Sequence, residues 1–152
     1  MKTYQVITAA STYPVSLTEA KSHLKVDTSA DDTYITSIIK AATQLSEEYT
    51  NRFFINTVID QTCSSFADLQ TLFKSKVNDV QYVKYYDSDN SLQTLTASIY
   101  DKMLSYEPAQ IQLADNQNFP SITKRNDAVI CRYTVGYGSA ASDVPEIIKQ
   151  AI

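Results

Sequence analysis

Near its C-terminal end the chain reads Gly136-Tyr137-Gly138-Ser139-Ala140-Ala141, a G-x-G-x-x-A string after a predicted strand. In a dinucleotide fold such a turn brings the pyrophosphate onto backbone N–H groups, but it also needs a crossover helix, a second parallel strand and an acid about 20 residues further on. Only 11 residues follow Ala141. The glycines therefore predict a tight turn that redirects the last strand into a final helix. Asp87, Asp89 and Ser91 imitate the first ligands of a calcium loop. Leu92 stands where that loop requires Gly, and Ser98 where it requires a bidentate Glu. The segment predicts a hairpin turn.

His23 is the only histidine, so a zinc site with several histidine ligands is excluded, and no local signature marks a Ser or Cys as its nucleophilic partner. It reads as a surface or helix-end residue. Asp31-Asp32 and Glu47-Glu48 are adjacent acids on one predicted helix, so each pair splits across faces and does not form the opposed carboxylates of acid–base catalysis. Cys63 and Cys131, 68 positions apart, have no metal-ligand spacing. Their neighbours alternate apolar and polar, which predicts two small buried strand residues; a disulfide is the alternative, disfavoured in a reducing compartment. No catalytic, cofactor-binding or metal-ligating residue is assigned.

The elements that must position these residues are readable from periodicity. An extended segment from Tyr4 to Ala9 is followed by a break at Tyr13-Pro14. Ser16-Leu17-Thr18-Glu19 is a capping box, in which the Ser16 hydroxyl accepts from the Glu19 N–H and the Glu19 carboxylate reaches back. It opens a helix to Leu24 or Lys25, with Leu17, Ala20 and Leu24 on one face. A second helix begins near Asp31-Asp32 and runs to Thr50. Ile35, Ile38, Ile39, Ala42, Leu45 and Tyr49 form its apolar stripe, and Asn51 is a left-handed terminator.

From Phe54 the period becomes two. Strands are predicted at Val58 to Phe66, Val80 to Tyr86, Leu92 to Leu95, Ser98 to Ser105, Gln110 to Ala114 and Ala128 to Val135. Phe66 to Val77 reads equally as a strand with a loop or a short helix. Asn116 to Asn126 reads as a long loop. Ser142-Asp143-Val144-Pro145-Glu146 opens a closing helix of about two turns with Pro in its first turn. Two helices, a β-rich middle and a final helix make an α+β fold, not alternating βαβ.

The length of 152 residues suits one domain and needs no disulfide or metal to fold. Lys and Arg number 13 against 17 Asp and Glu, so 13 − 17 = −4, which opposes tight sequence-independent binding of nucleic acid. With two glycines in all, the first 135 residues cannot build a phosphate-cradling loop. No signal peptide and no membrane span are predicted, so a soluble protein made in a cytoplasm is expected. Eleven tyrosines are the compositional surplus. Those in or beside the β-rich part, Tyr82, Tyr85, Tyr86, Tyr100, Tyr106, Tyr133 and Tyr137, fit either strand packing or a partner surface.

The ordered motifs resemble those of the head–tail connector (adaptor) proteins of tailed phages. Pro14-Val15-Ser16-Leu17-Thr18-Glu19-Ala20-Lys21 and His23-Leu24-Lys25-Val26-Asp27 are similar to the family's opening. So are the polar gap Thr28 to Asp32, then Tyr34-Ile35 opening a long helix that ends Glu48-Tyr49-Thr50-Asn51-Arg52. The family usually has Thr-Gly-Arg there, and Asn51 replaces the Gly. Val129 to Gly138 resembles the family's strand into a Gly-Tyr-Gly turn, and Asp143-Val144-Pro145-Glu146 through Ile152 the start of its closing helix. The two ends carry the likeness, over roughly half of the chain.

The resemblance implies one connector domain over residues 1–152, with a helical part at about 15–52 and 143–152 and a β-rich part at about 54–136. It implies a non-enzymatic virion protein of the neck, assembled in the host cytoplasm. Roughly a dozen copies would form a homo-oligomeric ring under the portal, monomeric or not in isolation. The ring would extend the DNA channel, let DNA pass without specific binding, and dock the stopper or tail. It implies no cofactor and no membrane partner, and a closing helix that in the family continues beyond the position of Ile152. The alternatives are another neck or tail-completion protein and, in a different class, a small ligand-binding domain or hydrolase. Head-to-tail assembly needs two different complementary surfaces. The candidate contacts are Tyr82, Tyr85, Tyr86, Tyr100, Tyr106, Phe119, Lys124, Arg125, Tyr137, Pro145, Ile148 and Ile152, with the polar faces of the second helix and the long loop.

Overall fold

A computed structural model describes residues 2–152. The chain opens with strand β1 (Lys2–Thr8), followed by helices α1 (Leu17–Leu24) and α2 (Asp32–Thr50). The capping box forms as predicted: Ser16 Oγ accepts from Glu19 N at 3.2 Å and Glu19 Oε2 accepts from Ser16 N at 2.8 Å. The Ser16 backbone bond holds the Glu19 carboxyl below its ordinary range. This contribution to stability is therefore full above the carboxyl's unfolded pKa and is lost as pH falls through the lower folded value. Ser16→Ala is expected to cost about 1 kcal/mol in urea unfolding at neutral pH, and less in acid. An equal cost at both pH values would show that the box is not what stabilises the helix.

Asn51 ends α2 in the left-handed region, φ 53°, and its N–H reaches the carbonyls of Glu47 and Glu48. Lys25 ends α1 the same way, with φ 57°.

The remaining strands are β2 (Thr57–Cys63), β3 (Val77–Tyr86), β4 (Leu92–Thr94), β5 (Tyr100–Met103), β6 (Gln110–Leu113) and β7 (Val129–Val135). The two N-terminal helices, β-rich middle and short final helix make the expected α+β fold. One antiparallel sheet runs β1-β2-β7-β3-β4, and β5-β6 is a separate hairpin. The last strand, β7, is inserted between β2 and β3, so both of its edges are paired. Its alternation, like that of β2, is strict: Val129, Cys131, Tyr133 and Val135 are buried, and so are Thr57, Ile59, Gln61 and Cys63.

These inward faces form the main core with Val80 and Val83 of β3. Phe66, Leu69 and Leu72 pack in the same cluster, together with Leu95, Tyr100, Ala109 and Ile111. Cys63 and Cys131 are free thiols within this core. A second cluster, Phe54, Ile55 and Val144 with Tyr137, Ile148 and Ile152, ties the closing segment to the end of α2 and the start of β2.

Several boundaries differ from the sequence reading: β1 begins at Lys2 rather than Tyr4, β2 ends at Cys63 rather than Phe66, and β3 begins at Val77 rather than Val80. Phe66 to Val77 is a 3₁₀ turn at Phe66–Gln70 followed by irregular chain that buries Leu72. Ala97–Ile99 is another 3₁₀ turn, so the strand predicted from Ser98 begins at Tyr100. The closing helix, predicted from Ser142, is instead a 3₁₀ turn at Ala141–Asp143 and then a single turn, α3 (Glu146–Lys149). Pro145 is its N-cap rather than a first-turn residue. The residue before a proline is pushed out of the helical region, and Val144 is extended at φ −83°, ψ 129°, which breaks the helix in two.

Candidate assembly surfaces

The sequence predicts one apolar stripe on α2, Ile35 to Tyr49. Only Ile35, Ile39 and Thr43 are buried. Tyr34, Ile38, Leu45 and Tyr49 are exposed, at 67%, 47%, 69% and 91%. With Ala41 they recur at three- and four-residue steps, so they form a second stripe along the helix. α1 packs on α2 but leaves Leu24 open, and α3 leaves Ile147 80% exposed beside Leu45 and Tyr49. Two grooves flank the helix. One of about 810 Å³ lies between α1, α2 and α3, with Leu24, Ile38 and Ile152 in its walls. The other, of about 520 Å³, is lined by Leu45, Tyr49, Phe54 and Ile147.

A second open surface is β1, the sheet's edge strand. Tyr4, Val6 and Ile7 are each 40% exposed. In register, Tyr4 stands opposite Gln61 and Val6 opposite Ile59, so both lie on the core side of the sheet, beyond the edge of the core. Tyr4 packs on Phe73 at 5.7 Å. The Lys74 ammonium lies 5.6 Å from the Tyr4 ring centre and 5.2 Å from that of Phe53. Lys74 is only 7% exposed, yet it makes no hydrogen bond or ion pair among the described residues. Glu47 is near it. Burial pushes the Glu47 carboxyl upward, countered by its hydrogen bond from Phe54 N and by the Lys74 charge.

The twelve residues singled out in the sequence do not converge on one patch. Tyr106, Lys124 and Pro145 are exposed, at the hairpin loop, in the long loop and at the start of α3. Tyr100 is 6% exposed and belongs to the core. Phe119 stacks on Phe66 at 4.4 Å, and Tyr85 packs on the same ring at 5.7 Å. Arg125 lies 3.7 Å over the Tyr86 ring and forks onto Asp127, which fastens the end of the long loop. Tyr82 is half-buried on the outer sheet face beneath the Arg132 and Lys84 cations, and burial pushes its hydroxyl's pKa up. Arg132 itself forks onto Asp60, directly opposite it, with both bonds 2.7 Å. Tyr137 accepts from Arg52 at 3.2 Å, and with Ile148 and Ile152 it lies against the second cluster.

His23 is exposed. Among the described residues, no three or more His, Cys, Asp or Glu side chains are grouped so as to hold a metal, and no helix is long and apolar enough to cross a membrane. Fold and surface define the class: a small α+β scaffold whose distinguishing features are open apolar faces on α2 and β1. The chain belongs to the phage gp6-like head–tail connector protein family, whose sequence profile matches residues 14–118. It is thus a structural neck protein of a phage-type virion.

The fold is shared with chains of solved particles. A chain from the neck of an empty gene transfer agent particle, computed with sixfold symmetry, superposes with a TM-score of 0.78 at 18% identity. Chains from the native virion and from its neck computed with twelvefold symmetry give 0.77 at 21% and 0.75 at 20%. Each match covers 97% of this chain and 77–78% of the other. No curated protein sequence matches.

Proposed function

We propose that residues 1–152 act as one head–tail connector domain, repeated about the particle axis as a ring between the portal and the stopper or tail. The role is non-enzymatic. The ring extends the DNA channel and offers a docking platform to the next component. The observation that carries this reading is the open apolar face of α2 in a member of this family, since a single chain gains nothing from leaving such a stripe in water. Chains of the same fold in a neck computed with sixfold and twelvefold symmetry support a repeat about an axis. In this reading the exposed Tyr106, Lys124 and Pro145 meet other neck components.

The charge is consistent with passage of DNA: −4 per copy, repeated around a channel, repels phosphates rather than holding them. Electron microscopy of the protein, alone and mixed with its portal, is expected to show rings. A strict monomer that ignores portal would overturn the reading, as would submicromolar binding of the assembled ring to duplex DNA at near-physiological salt.

A further inference from the structure

We draw no further inference here: the strongest candidate, the exposed apolar stripe of α2 with the two grooves that flank it beside α1 and α3, carries nothing beyond the reading above, since nothing in the structure shows what covers it.

Discussion

Replacing Gly136 by alanine is expected to cost about 3 kcal/mol or more of folding stability, the sum of left-handed strain and a clash that side-chain motion cannot relieve. Gly136 has φ 139°, a region that side-chain-bearing residues avoid. A Cβ there would stand 2.7 Å from Asn56 N, 2.8 Å from Ile55 C and 2.9 Å from Asn56 Cα. All three atoms are backbone, at the junction where α2 hands the chain to β2. The surroundings cannot move freely: Gly136 N donates to Lys76 O at 3.0 Å, and its own carbonyl accepts from Asn78 Nδ2 at 2.9 Å.

Against a total of about 5–15 kcal/mol for a typical domain, such a loss is large. At this chain length it corresponds to a fall of roughly 10 °C in Tm. Gly138 provides the comparison. Its added Cβ would stand 2.2–2.4 Å from Oδ2, Cβ and Cγ of Asp143. Rotation moves the carboxylate, at the expense of its bond from Ala140 N at 2.9 Å, but the Asp143 Cβ moves only if the exposed turn that carries it shifts. Gly138 lies outside the left-handed region, so Gly138→Ala adds a clash without that strain and should be the milder change. Urea denaturation of the two variants checks the order. A loss under about 1 kcal/mol at Gly136, or a larger loss at Gly138, would show that the turn is not as rigid as this geometry requires.

The job of these glycines was legible in the sequence because it follows from a local rule: a strand followed by G-x-G marks a sharp turn. The strands of the sheet were legible for the same kind of reason. Inside β2 and β7 every second residue is buried without exception, and period two has only one structural meaning. Where β7 goes was not legible. Its insertion between β2 and β3 is a tertiary choice, made when Asp60 meets Arg132 and Gln61 meets Tyr133, partners 72 residues apart.

The exposed apolar face of α2 was not legible for a different reason. Ile35, Ile38, Ile39, Ala42, Leu45 and Tyr49 were read as one apolar stripe, but Ile35 and Leu45 are ten residues apart and lie about 80° apart around the helix. Adding Tyr34 and Ala41 widens the apolar arc beyond what one packed face needs. That excess was the available signal that apolar side chains would be left exposed on α2. Tyrosine counting pointed instead at the β part, where Tyr100 and Tyr133 are core residues and Tyr82, Tyr85 and Tyr86 serve stacking within the chain.

Alkali is expected to unfold this protein well before it disturbs an ordinary domain of its size, because ionisable groups, Cys131 and Tyr133 foremost, are buried in their neutral forms at the centre of the sheet. Cys131 is fully buried, and burial first, then the neighbouring Cys63, pushes its thiol far above the ordinary range. Tyr133 is equally buried, and burial raises its hydroxyl strongly. That hydroxyl lies 2.7 Å from Gln61 Oε1 and 3.0 Å from the Phe73 carbonyl, with its single proton between two acceptors. Gln61 Oε1 also accepts from Phe73 N at 2.8 Å, so the network has no donor to offer a phenolate other than the amide groups already engaged.

For both groups the folded pKa lies above the unfolded one. Their contribution to stability is therefore full below the unfolded values, about 8.5 for Cys and 10 for Tyr, and is lost as pH rises from there toward the folded values. Each group takes away about 1.4 kcal/mol per pH unit above its unfolded pKa. At pH 11 this amounts to about 3.4 kcal/mol from Cys131 and about 1.4 from Tyr133, close to the whole stability of a marginal domain. The free energy of unfolding, followed from pH 7 to 11, should begin to fall near the thiol's unfolded value and steepen near the phenol's. Tyr133→Phe should be less stable at neutral pH, since Gln61 loses a buried partner, yet should lose less between pH 10 and 11 than the parent does. Cys131→Ala should flatten the curve from pH 8.5 upward. Parallel curves for parent and variants would mean that these groups meet water, and that the centre of the sheet is looser than its burial indicates.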